Sequence, residues 1–578
     1  MPVVTKSIDQ AAEHITSEGH SWSNGLGTAA GPITFGFRST AGTENAATFT
    51  RFSATQMAAA EDVLDLWSDL ANVSFDRVGG TGYSNKATML FANYNNPNDG
   101  AAAYAYYPDP DDTGAGARNG DVWVDLNSAN NDDVSFGSRG FATLLHEVGH
   151  ALGLQHPGDY NAGPGVTITY DANAEFIEDT KQYSVMSYFQ ASETGADHID
   201  GTTTIYGATP LLHDIAAIQR LYGANMTTRT GDTTYGFNSN ADRQSFHIDS
   251  ASEKAVFAVW DAGGEDTFDF SGYSEDQWIR LGDGQFSDVG GLTDNIAIAQ
   301  GATIENARGG SGDDHISGNE AINRLYGNAG DDDLNGGRGN DVLEGGSGDD
   351  TLIGGSGADV MLGSVGNDIF YVDEVGDQVS DVVGISAQPN GLVTNVNAGS
   401  DTVRTSLSSY TLGRFIENLE ATMWENFTGT GNSLGNTIAG HDGADTLRGL
   451  AGADTLIGGR GRDVLYGGTE ADLFVFERLA DTGTTASSRD LIADFDRRFD
   501  DIDLSRIDAR GDVGQNEAFR FIGSANFDGV SGQLRYGPTV VGRTSSTIIE
   551  GDVDGDRIAD FQIELSGRHT LAASDFIL

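Results

Sequence analysis

The chain has 578 residues, enough for several domains, and its 86 acidic residues against 32 basic ones give a formal net charge of -54. A field of that sign repels nucleic acid and anionic membrane surfaces and attracts cations. With no cysteine there is neither a disulfide framework nor a thiolate metal site, and no apolar run reaches the length of a membrane span.

The opening stretch MPVVTKSIDQAAEHITSEGH lacks a continuous apolar core, so it does not read as a secretory signal peptide. Residues 1–230 read as an α+β domain. In FSATQMAAAEDVLDLWSDLA, apolar side chains at Met57, Ala60, Leu64, Trp67 and Ala71 give helical spacing, and Ser53 with Gln56 forms a capping box. ATMLFANY, AAAYAYYP and DVWVDL then read as short strands broken by Asn, Pro, Asp and Gly. SRGFATLLHEVGHALGL is helical again, with Phe141, Leu144, Leu145, Val148 and Leu152 apolar.

The second helix carries the chemistry. Residues four apart lie on one helix face, so His146 and His150 project together and can share one metal. Glu147 lies one position round, where it can polarise a metal-bound water and take its proton. Gly153 suits a helix C-terminal reversal that would bring back His156 as third ligand, and Pro157 prevents helical continuation. Three imidazoles plus a water in an open position describe a catalytic zinc site rather than a closed structural one.

From Gly309 the texture changes to a nine-residue repeat: GGSGDDHIS, GNEAINRLY, GNAGDDDLN, GGRGNDVLE, GGSGDDTLI, GGSGADVML and GSVGNDIFY. Its sixth position holds Asp314, Asn323, Asp332, Asp341, Asp350, Asp359 and Asp368, and its eighth is always apolar. A second array begins at Gly431 and places Asn436, Asp445, Asp454, Asp463 and Asp472 at the sixth position. Tight glycine turns, each followed by a short strand with one inward apolar residue, stack as a parallel β-roll. Between turns, hard oxygen ligands suit several structural calcium ions. The expected ligands are the aspartates of both arrays together with turn glycines: Gly310, Gly312, Gly330, Gly337, Gly339, Gly346, Gly348, Gly355, Gly357, Gly459 and Gly461.

HEVGHALGLQHP matches the metzincin zinc motif, and YSVMSYF downstream resembles the Met-turn of the serralysin family. The resemblance implies that Met186 floors the metal and that Tyr188 is a further zinc ligand able to swing away and donate to the oxyanion. RTGDTTYGFNS, WDAGGEDTFDFSGY and ATIENARGGSGDD resemble the family's first calcium loops. On that resemblance Arg229, Gly231 and Thr233 offer carbonyls, facing Asp261, Gly263, Gly264 and Asp266 across one ion, while Thr303 and Glu305 bind another. AAAYAYYP resembles the family's strand at the cleft edge, where a peptide could pair.

Five segments follow: 1–230, zinc metalloprotease; 231–371, first calcium roll; 372–430, a spacer expected to continue the roll; 431–475, second calcium roll; and 476–578, a C-terminal β domain. The second array departs from the single repeat block of the family. The final DFIL resembles the family's uncleaved C-terminal signal for one-step (type I) export, which makes that apparatus a partner and the protein extracellular. Any pro-segment is expected to be short. The reading is a secreted, monomeric zinc endopeptidase with one catalytic zinc, acting on proteins, open to a proteinaceous inhibitor, without nucleic-acid binding or membrane insertion. DVDGDRIAD is not read as an EF-hand, because its Gly is misplaced and Ile563 stands at position twelve. No nucleophile elbow of a lipase precedes the repeats. A surface-layer or binding protein is the rival reading, which the intact ligands and base disfavour.

Overall fold

The structure, a computed structural model, describes residues 4–42, 45–96, 100–109, 118–381, 399–510, 516–541 and 544–578. Two compact units divide the chain, Met1–Ala321 and Ile322–Leu578.

The first unit opens with helix α1 (Ile8–Ile15), capped by a reciprocal Ser7–Gln10 box. Strand β1 (Ala30–Phe37) leads to α2 (Ala54–Leu70). The Ser53–Gln56 box forms as its spacing requires: Gln56 N donates to Ser53 Oγ (3.2 Å) and Ser53 N to Gln56 Oε1 (3.0 Å). Leu64 and Trp67 are buried as the periodicity expects, while Met57 is half-buried, because the buried face centres on Val63, Leu66 and Leu70. Strands β2 (Val73–Arg77), β3 (Met89–Tyr94), β4 (Ala103–Ala105) and β5 (Val122–Asp125) complete a sheet of order β2-β1-β3-β5-β4. All its pairings are parallel except β4 on β5, which leaves the antiparallel β4 as an edge. Helix α3 (Arg139–Ala151) packs against α2, β4 and β5. A single turn, α4 (Tyr170–Asn173), precedes α5 (Leu212–Tyr222), which packs on α1. Short parallel strands begin beyond residue 230: Thr234–Gly236, Thr267–Asp269 and Asn306–Arg308 pair in one ladder, Trp278–Arg280 and His315–Ser317 in another.

In the second unit the repeats form parallel strands whose partners lie 18 residues apart, so two repeats make one turn of a two-sided roll. Val342 pairs with Val360 on one side and Thr351 with Ile369 on the other. Each eighth-position residue points inward: Leu325, Leu343, Leu352, Met361 and Phe370 are fully buried. The ladder continues through the expected spacer, although residues 382–398 lie outside the described residues. Ile369–Val372 pairs with Thr402–Thr405, then Asn418–Ala421 and Thr437–Ala439, and so reaches the second array. Beyond it, Gln533–Val541, Thr544–Asp552 and Phe561–Ser566 form antiparallel neighbours. Phe576–Ile577 adds a parallel strand to Asp501–Asp503. Asp575 Oδ2 there accepts from Arg497 Nε at 2.8 Å. Among the described residues, no helix is long and apolar enough to cross a membrane.

Candidate metal centre

Ser138 caps α3, accepting from Phe141 N (3.2 Å), and the helix ends at Leu152. Gly153 makes the reversal. Its φ is +105°, and a Cβ there would lie 2.1 Å from the His20 carbonyl oxygen, so backbone conformation and close approach both require glycine. Gln155 N then donates to Ile15 O (2.9 Å), which ties the returning segment to α1.

The reversal brings His156 onto the α3 histidines. Its Nε2 lies 3.1 Å from His146 Nε2 and 3.0 Å from His150 Nε2. Each ring is oriented from behind by a carbonyl: His146 Nδ1 by Val185 O (2.8 Å), His150 Nδ1 by Leu154 O (2.7 Å) and His156 Nδ1 by Tyr160 O (2.7 Å). A carbonyl only accepts, so each Nδ1 carries the proton and each Nε2 presents a lone pair. Three lone pairs at this separation repel one another unless a cation lies among them. Burial also keeps the rings neutral, pushing His146 down to about 3, His150 to about 4 and His156 well below the ordinary imidazole range. Neutral nitrogen donors oriented by carbonyls suit zinc.

Glu147 is buried beside them. Its Oε2 has no hydrogen-bond partner among the described residues, and burial raises its carboxyl to about 8. The Tyr188 ring centroid stands 4.6 Å from that of His156 and 5.7 Å from that of His146, and burial, followed by the nearby Glu147, raises its phenol to about 12. Met186 is fully buried under α3. His146, Glu147 and Tyr188 line a cleft of about 410 Å³ together with Ala101, Ala102 and Ala103 at the start of the β4 edge, and with Lys181. Burial lowers Lys181 to about 8, with Arg139 adding to the shift.

Sequence spacing did not reveal two supports of the centre. Asp214, fully buried in the first turn of α5, accepts Ser184 Oγ–H (2.6 Å), Val185 N–H (2.7 Å) and Leu211 N–H (2.9 Å). It thus anchors the segment whose Val185 carbonyl orients His146. Asp179 accepts from the Tyr160 hydroxyl (2.8 Å), and Tyr160 stacks on His156. The only available signal was an acidic residue entering an apolar helix in DIAAIQRLYG, which names no partner.

In the loops expected to bind the first calcium ions, Thr233 N donates to Asp266 Oδ1 (2.7 Å) and Asp266 N to Glu305 Oε2 (2.8 Å). A Cβ on Gly264 would lie 2.7 Å from Gly231 O and 2.8 Å from Asp266 Oδ1, so these groups share one locus. Asp266 Oδ2 is buried without a partner among the described residues, and its carboxyl is raised to about 7 by burial and by Asp261 and Glu305. Gly263 N donates to Asp261 Oδ1 (2.9 Å). The Arg229 side chain pairs with Asp69 and Asp242, and Thr303 is exposed two positions from Glu305.

Along the roll, sixth-position aspartates such as Asp341, Asp359 and Asp368 use one oxygen to accept a backbone N–H from the preceding turn. Asn323 N reaches Asp341 Oδ1 (2.8 Å), Asp341 N reaches Asp359 Oδ1 (2.8 Å) and Asp350 N reaches Asp368 Oδ1 (3.0 Å). The second array repeats this, with Asp445 N on Asp463 Oδ1 (2.8 Å) and Asp454 N on Asp472 Oδ1 (3.0 Å). The other oxygen of Asp341, Asp350, Asp359, Asp368, Asp445, Asp454, Asp463 and Asp472 is buried without a partner among the described residues. Buried anionic oxygens repeated in register fit a hard cation. Asp314 differs: both its oxygens already accept backbone N–H groups, from Gln277 (2.8 Å) and Gly310 (2.5 Å). The Asp552–Asp560 loop joins two antiparallel strands and brings Asp552, Asp554 and Asp560 together. Asp552 accepts there from Gly555 and Arg557 of the loop itself.

A family model for the peptidase M10 serralysin C-terminal region matches residues 224–352 and 450–578, and one for the RTX calcium-binding nonapeptide repeat matches 339–370. The chain is 45% identical over 326 residues to metallopeptidase AprA of Pseudomonas marginalis, covering 55% of this chain and 66% of that one. It is 49% identical over 314 residues to serralysin A of Dickeya chrysanthemi, covering 53% and 63%. With serralysin of Photorhabdus laumondii the identity is 46% over 277 residues, covering 48% and 55%. The chain therefore spans between about half and two thirds of the length of these relatives. Its class is that of a β-roll protein with RTX calcium-binding repeats and a serralysin-type C-terminal region. Over about half its length it is a homologue of the serralysin and AprA metalloproteases.

Proposed function

We propose that the protein is a secreted zinc endopeptidase whose C-terminal half folds on calcium. The observation that carries this reading is the convergence of three Nε2 lone pairs beside a buried carboxylate oxygen without a partner among the described residues, on an open cleft. His146, His150 and His156 would hold zinc, with Tyr188 at its side; bound there, zinc acts as a Lewis acid on water and on the scissile carbonyl. Glu147 accepts a proton from the attacking water and returns it to the leaving amine. The Tyr188 hydroxyl, kept protonated by burial, donates to the oxyanion. The β4 edge offers main-chain groups for an extended peptide. Calcium would neutralise the stacked aspartates, so the roll folds where calcium is plentiful and stays open for export through a type I channel.

Casein digestion tests the catalytic reading. Activity should vanish with a zinc-selective chelator, return on adding zinc, and be absent from Glu147→Ala despite bound zinc. Digestion that persists without zinc, or in Glu147→Ala, would contradict it.

A further inference from the structure

Two cations line the same cleft, and the mechanism uses neither. Arg139, Thr143 and His146 follow one another along one face of α3 and line the cleft together with Lys181, Tyr188 and Tyr206. Among the described residues lining it, the charged side chains are Arg139, Lys181 and Glu147. Lys181 is half-buried; its Nζ donates to the Tyr188 carbonyl (3.0 Å) and lies 5.8 Å from the Tyr206 ring centroid. Arg139 is exposed and donates to Ser128 Oγ (3.3 Å). Neither forms an ion pair among the described residues, although Arg38, Arg77, Arg229 and Arg243 all do. Both cations stand on one wall of a cleft in a chain with 86 acidic and 32 basic residues.

We propose that this wall is a carboxylate pocket, so that the cleft selects peptides bearing an acidic group beside the cleaved bond. The inference rests on the peptidase reading above. An ammonium has three donors, and Lys181 spends one on Tyr188, leaving two for a ligand. Being already partly desolvated, it gives up little more water on pairing, and the apolar neighbours of the cleft reduce screening. Arg139 stands seven residues before His146 on α3, about 10 Å along the axis. An extended peptide advances about 3.3 Å per residue, so Lys181 meets the carboxylate nearest the bond and Arg139 one two or three residues farther along. The carboxylate could belong to an Asp or Glu side chain or to a peptide C-terminus.

Quenched fluorescent peptides differing at single positions, cleaved by the full chain with zinc and calcium bound, test the pocket. A Glu peptide should be cleaved about tenfold faster in kcat/KM than its Gln counterpart, and a Lys peptide slower still. Lys181→Met should level Glu and Gln; Lys181→Glu should favour Lys. Arg139→Gln, at an exposed position, should weaken the acidic preference without changing the melting temperature. A preference confined to peptides with a free rather than amidated C-terminus would assign the pocket to the chain end. Equal cleavage of Glu and Gln peptides by the unaltered protein would overturn the proposal. So would a Lys181→Met variant slowed by the same factor on every peptide, which is the mark of a role limited to holding Tyr188. Failure to cleave any peptide would instead defeat the peptidase reading, and this one with it.

Discussion

At Gly149, an added methyl group would lie 2.5 Å from Met186 Sδ and 3.3 Å from the Trp67 ring. Glycine in the middle of α3 therefore lets the Met-turn seat directly beneath the histidines. Gly149→Ala should lower stability by about 1–3 kcal/mol by calorimetry, because neither neighbour can retreat within a packed core. Asp214 acts at one remove. Asp214→Ala would leave the donors of Ser184, Val185 and Leu211 unpaired, costing about 3 kcal/mol or more. It would also free the Val185 carbonyl behind His146, so zinc affinity measured by chelator competition should fall about 10–100-fold. Reduced stability with unchanged zinc affinity would limit Asp214 to a structural role. The convergence of the three histidines was legible in the sequence because helix periodicity and a single glycine dictate it. Asp214, Asp179 and Lys181 were not, because tertiary folding alone brings them to the site from segments with no spacing rule.

The roll turns on its aspartates. Burial is the first cause raising Asp341 to about 6, Asp350 to about 8, Asp445 to about 7 and Asp463 to about 7, with neighbouring carboxylates adding to each. A folded-state value above the unfolded one means that the calcium-free roll binds more protons than the unfolded chain. Its stability is therefore intact below about pH 4 and is lost as pH rises through roughly 6 to 8. Without calcium, the melting temperature should be higher at pH 5 than at pH 8; saturating calcium should abolish or reverse that difference. Asp350→Asn should stabilise the calcium-free form at pH 8, by removing one buried charge, and destabilise the calcium-loaded form, by removing a ligand. Thermal melts under both conditions check the sign change, and a variant destabilised in both would argue against calcium at that position. The repeat period revealed this element because one apolar residue per nine fixes both strand and register. The spacer was harder to read: Ile369 pairs with Thr402, a step of 33 residues where the repeats step by 18, so Gly399, Asp401 and Val403, which resume the repeat pattern, fall outside its nine-residue count.

The whole chain joins a neutral nitrogen cluster in its first unit to a ladder of buried carboxylates in its second. The two call for different ions and should separate under different chelators. Removing calcium should melt the Ile322–Leu578 unit first, seen as an early loss of β signal in circular dichroism, while the α-helical signal persists to higher temperature. A single unchanged transition would contradict calcium-coupled folding. The central claim is that His146, His150 and His156 hold one zinc between them, and X-ray absorption at the zinc edge of the purified, active protein tests it most directly. The expected result is one zinc per chain with three imidazole nitrogens at about 2.0–2.1 Å. Active protein without zinc, or zinc bound through fewer than three imidazoles, would contradict it.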